Sequence, residues 1–429
     1  MSLKSIVLVT ALSGAIGAAP RSFLDAAAAT DWTQWGGPHR NFMSDATGLA
    51  SSWPPDGPKK LWARTLGEGH SSILAEGARV YTMYRPASGL LSYVRRSQEE
   101  TVIALDAATG KTIWEFRYPA ATDGVDFSQG AGPHATPLIA GNRIFATSSR
   151  RELFALDKQT GKLLWSHDFI KEYGAPPPNR GYTCSPLAYN DTLILTVGGP
   201  DQAVAAFKQE TGALVWKRGR LEPSPASPIL IDVDGQPQII VFGGDLIAGL
   251  SPVDGNTLWT YPHKTDWGLN ISTPVWSPAD HVLFASAAYN TGSRALELRQ
   301  SGGRTTVAEK WFLNRLRVHI GTVIRVGDYI YGSSGDFGPA FLSAVDVKTG
   351  RVAWQDRSFS RAQLLYADGK LILLDEDGRL GLATIGPDGL KILARAAVLE
   401  NLSWTPPTLS GTKLYVRDRK SIAAFELGG

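Results

Sequence analysis

The sequence predicts an all-β fold: an eight-bladed β-propeller of four-stranded antiparallel blades whose ring is closed by an N-terminal strand. Three observations predict it. A tryptophan-terminated segment recurs along the chain, with Trp62, Trp114, Trp165, Trp216, Trp259, Trp311 and Trp354 spaced 43 to 52 residues apart, the period of propeller blades. Each well-preserved copy reads as four short β-rich runs separated by tight turns. The tail ends one strand short of a complete blade, and residues 60–64 offer the missing one.

Taken in order, the clearest copies are VIALDAATGKTIW (102–114), LFALDKQTGKLLW (153–165), VAAFKQETGALVW (204–216) and LSAVDVKTGRVAW (342–354). IAGLSPVDGNTLW (247–259) keeps the Gly and Trp but loses Asp and Thr. The copy at 295–311 has a longer turn, and the one at 380–394 replaces its Trp with Ala. Without that last copy the count falls to seven blades. In the D-x-x-T-G turns, the carboxylates of Asp106, Asp157 and Asp346 can accept backbone N–H bonds, while Gly110, Gly161, Gly212 and Gly350 supply the positive φ that other residues resist. The tryptophan then falls on the outermost strand, where its ring fills the gap to the next blade and buries about 150–250 Å². Joining residues 60–64 to the tail leaves neither edge free for uncontrolled pairing.

Composition narrows the function classes. With 45 Gly, 26 Pro, 43% apolar and 19% charged residues, the chain is neither disordered nor a coiled coil. A net charge of +3 is too small to make the whole molecule a nucleic-acid binder. Cys184 stands alone, which removes intramolecular disulfides and Cys-based metal clusters, and it reads as a small buried residue. No HExxH, G-x-S-x-G, P-loop or dinucleotide fingerprint occurs. His70, His134 and His319 lie near the starts of predicted inner strands, where blades meet at one channel, and read as solvent-facing or hydrogen-bonded side chains.

Lys4, the apolar run 6–19 and the small residues that end it have the layout of a signal peptide over 1–19, with cleavage as late as about 29. A leader over 20–59 is expected to pack on a single propeller domain, 60–429. The apolar run is too short to span a membrane comfortably, and no cysteine follows it for lipid attachment. The expectation is a periplasmic or secreted monomer.

The A-x-D-x-x-T-G-x-x-x-W pattern at 104–114, 155–165 and 344–354 resembles the tryptophan-docking motif of the PQQ-like repeat family of quinoprotein-dehydrogenase-like propellers. The opening DWTQWGGPHRNFMSD (31–45) is similar to the leader of its exported bacterial members. That family includes quinoprotein enzymes and non-catalytic scaffolds, so the resemblance implies a fold and leaves two functions. One is an exported non-catalytic scaffold that uses no cofactor and presents one propeller face to a protein or small-molecule ligand. The other is an oxidoreductase using pyrroloquinoline quinone and Ca²⁺ to oxidise an alcohol or sugar; Asp266, Trp267 and Asn270 are its candidate cofactor-binding residues. A lone cysteine cannot form the adjacent-cysteine ring of many such enzymes. The insertion at 84–100 shares a face with Arg150 and Arg151, and its interleaved acids read as a solvated mixed-charge surface that can receive anionic ligands.

Overall fold

The computed structural model describes residues 31–87, 96–335 and 339–429. The expected signal peptide, the start of the leader and residues 88–95 of the insertion lie outside the described residues. Eight antiparallel four-stranded sheets form the blades, spanning 74–119, 138–168, 187–218, 229–262, 275–313, 318–356, 362–397 and 408–426, the last completed by Lys59–Thr65. First strands of neighbouring blades touch one another, as Leu74–Glu76 does Thr408–Ser410 and Leu138–Ala140 does Leu187–Tyr189, so they surround a central channel. Lys59–Thr65 pairs antiparallel with Ser421–Glu426 and closes the ring. The copy at 380–394 falls on the last two strands of a complete blade, 362–397, giving eight.

The tryptophan copies share one local device. Trp114 stands opposite Ala104 and Thr112 opposite Leu105, so Ile113 is an extra residue in a β-bulge. Leu164 and Val215 occupy the same place one and two blades along. The bulge bends the outer strand and turns the indole toward the next blade, and the alanine opposite leaves room for it. There the Nε1 of Trp62, Trp114, Trp165, Trp216, Trp311 and Trp354 donates to a carbonyl of the following blade, for example Trp114 to Lys158 O at 3.1 Å. The ring lies over that blade's turn glycine: a Cβ on Gly110, Gly161, Gly212 or Gly350 would meet the rings of Trp62, Trp114, Trp165 and Trp311. Trp259 differs. Its Nε1 donates to Gln238 Oε1 of its own blade at 2.7 Å, and its ring lies against Gly249.

The insertion departs from the solvated surface expected of it. Arg85 and Glu100 are buried and paired at 2.7 Å. Arg85 also donates to Ala120 O and Ala131 O, while Glu100 Oε2 accepts from Tyr118 OH and from Ser149 N of the next blade. A charged pair is stable there because each partner's remaining hydrogen-bonding capacity is met by neighbouring polar groups. Sequence alone cannot reveal such convergence, because the partners come from two blades.

Candidate functional site

A leader segment crosses one end of the channel, at the turns between first and second strands. Trp32 bridges Ala75, Thr33 O accepts from Ile139 N, Arg40 donates to Ala188 O, and Met43–Ser44 runs parallel to Tyr366–Ala367. Trp35 reaches into the channel, donating to Thr273 Oγ1 at 2.8 Å, and floors a cavity of about 570 Å³ that faces the loops joining successive blades. Prolines 176–178, 223 and 225, with Trp267 and Trp404, line much of it.

Hydroxyls tie its wall together. Ser72 N donates to Thr136 Oγ1, Thr136 N to Ser185 Oγ and Ser185 N to Ser227 Oγ, at 2.9–3.0 Å, so each inner segment is anchored on the next. The signal for this ring was present as the run Ser/Thr-Pro-aliphatic at 136–138, 185–187, 227–229 and 273–275.

Three rings from three blades stack along the wall: Trp404 on His70 at 5.3 Å, and His70 on His134 at 5.4 Å with planes 8° apart. Trp404 is oriented by its Nε1 donating to Glu376, itself paired with Arg361. Burial is the main cause that lowers both imidazoles; His134 falls to about 4, aided by Arg419 and Arg85, and His70 falls well below its ordinary value, aided by His134. Both are therefore neutral at neutral pH. His319 sits elsewhere in the wall, against Tyr289 OH at 2.6 Å. Among the described residues no group of three or more His, Cys, Asp or Glu side chains is placed to hold a metal ion. Cys184 is buried, and burial pushes its thiol up, away from the thiolate form a nucleophile requires.

The structure does not bring Asp266, Trp267 and Asn270 to one point. Trp267 is 64% exposed at the cavity rim. Asp266 accepts from Asn290 Nδ2 at 3.0 Å. Asn270 is fully buried, with Nδ2 donating to Gly243 O and His263 O, and only its Oδ1 lacks a partner. Calcium takes six to eight oxygens, and the described cavity wall contributes one carboxylate, Glu222. These residues do not fit a calcium-held quinone.

A family model described as outer membrane protein assembly factor BamB matches residues 98–356. Among curated proteins, the chain is 23% identical over 346 residues to the outer membrane protein assembly factor BamB of Moranella endobia, covering 77% of this chain and 84% of that one. It is 26% identical over 294 residues to the dehydrogenase subunit of a quinone alcohol dehydrogenase of Gluconobacter oxydans, covering 62% of this chain but 37% of that one. The solved structure of BamB from Moraxella catarrhalis superposes with a TM-score of 0.56 at 17% identity, over 86% of this chain and 98% of that one. At that identity the likeness speaks for the fold alone.

Proposed function

The chain belongs to the family described as outer membrane protein assembly factor BamB, within the PQQ-like propellers, and on that premise we propose that it is an exported, non-catalytic scaffold. It works in the periplasm and docks a protein partner on the loop face around the channel mouth. One observation carries the choice of face. The leader crosses the opposite end of the channel, whereas the loop face presents the cavity rim with its rigid prolines and the exposed indole of Trp267. An exposed tryptophan beside prolines offers large contact area at little entropic cost. The curated relatives named as assembly factors, aligned over most of their length, support the reading.

The test places a photocrosslinking amino acid at position 267 or at Val253, which is 69% exposed in a turn on the opposite face. In the native host, position 267 is expected to trap one discrete partner from the outer-membrane assembly apparatus, and position 253 none. Equal trapping at both positions, or at neither, overturns the assignment of the face. The purified chain given pyrroloquinoline quinone and Ca²⁺ is expected to reduce no dye with alcohol or sugar substrates. Dye reduction overturns the scaffold reading.

A further inference from the structure

We propose that the channel cavity binds an apolar carboxylate, with the Arg151 guanidinium receiving the carboxylate and the proline- and tryptophan-lined wall receiving the apolar body. This goes beyond docking on the loop face and does not depend on it. Arg151 is only 6% exposed and forms part of the cavity wall. Its Nη1 donates to Val197 O of the next blade, but its Nε has no partner, and no carboxylate among the described residues lies within ion-pair distance. The contrast with similar positions is direct. Buried Arg85 is neutralised by Glu100, and buried Arg417 spends one Nη on three oxygens, Ser71 O, Thr82 Oγ1 and Met83 O. A guanidinium taken out of water without an anion is costly, and the cost is compounded by a backbone φ of +67° at a non-glycine residue. Burial also lowers its pKa.

The surroundings define the ligand. A Cβ at Gly198 would stand 2.7 Å from Arg151 Nη1 and 3.6 Å from Pro176 and Pro223, so the guanidinium packs against this glycine beside two proline loops. The Tyr182 ring lies 5.4 Å from the guanidinium carbon. Of the other titratable groups in the described wall, Arg180 is held by Asp126, Glu222 is the one carboxyl group, and the two stacked histidines are neutral. One unpaired cation above an apolar well of about 570 Å³ matches a monocarboxylate on an aromatic or aliphatic body. Such a carboxylate has two sources, a free organic acid or the C-terminus of a polypeptide.

Calorimetric titration of the full chain with 4-phenylbutyrate and its amide, and with an apolar pentapeptide bearing a free or amidated C-terminus, tests both. Wild type is expected to prefer at least one acid over its amide by about tenfold, the worth of one charge-assisted contact. Arg151→Met is expected to abolish that preference with an unchanged or raised melting temperature, and Arg220→Gln, a surface control, to keep it. Preference for phenylbutyrate alone identifies a small acid, and preference for the peptide alone a chain terminus. Equal binding of acid and amide by wild type, or no binding of either, overturns the proposal without recourse to any variant. So does an acid preference that survives in Arg151→Met.

Discussion

His134 has an ordinary sequence context, yet its chemistry is set by neighbours 49 to nearly 300 positions away. Burial and the cations of Arg419 and Arg85 hold its pKa near 4, against 6.5 in the open chain, and His70 faces it from the preceding blade. Between pH 6.5 and 4 the unfolded chain therefore binds the proton that the folded chain refuses, so stability falls as pH drops through that window and is unaffected above it. The urea midpoint is expected to decline from pH 7 to 4.5, with a shallower slope in His134→Asn; the imidazole proton resonance should not titrate between pH 8 and 5.5. Identical slopes in the two proteins would mean that the ring is solvated. The position of this histidine at an inner-strand start was legible in the chain. Its neutral state was not, because desolvation is a property of the assembled wall. Arg151 illustrates the same limit: it was visible as one of several cations, and only the fold shows that Arg85 has a carboxylate and that Arg151 has none among the described residues.

Blades are joined by a unit of four parts: a bulge, an indole, a small residue opposite it, and the next blade's turn glycine. At Gly161, φ is +72° and a Cβ would lie 2.5 Å from the Trp114 ring, whereas at Gly141, φ is +56° and nothing lies within 4 Å. Gly161→Ala is expected to cost about 3 kcal/mol by urea unfolding, combining left-handed strain with overpacking, and Gly141→Ala about 1 kcal/mol from strain alone. Equal costs would place the docking energy elsewhere. The exception follows from the same geometry. The blade after Trp259 extends its outer hairpin to Ser301 opposite Arg304 and lacks the D-x-x-T-G turn. With no glycine shelf at the usual place, the indole satisfies its Nε1 on Gln238.

Closure of the ring is the long-range event on which the whole molecule depends, since Trp62 and Ala424 pair across almost the full chain. Deleting residues 31–65 strips the last blade of its outer strand and the channel of its floor. The truncated chain is expected to elute as soluble aggregate, with fast hydrogen exchange over Ser421–Glu426, because an unpaired apolar edge recruits other chains. A monomer with protected amides there would show that closure is dispensable. Blade count, strand order, turn chemistry and the closing strand were all readable from the chain, because they follow from local periodicity and from residues whose backbone preferences act within a few positions. The site was readable only in fragments. The cavity, the indole that floors it, the stacked histidines, the buried Arg85–Glu100 pair and the unpaired Arg151 depend on side chains from different blades. Their mutual distances, and with them desolvation and charge balance, exist only once the ring has closed.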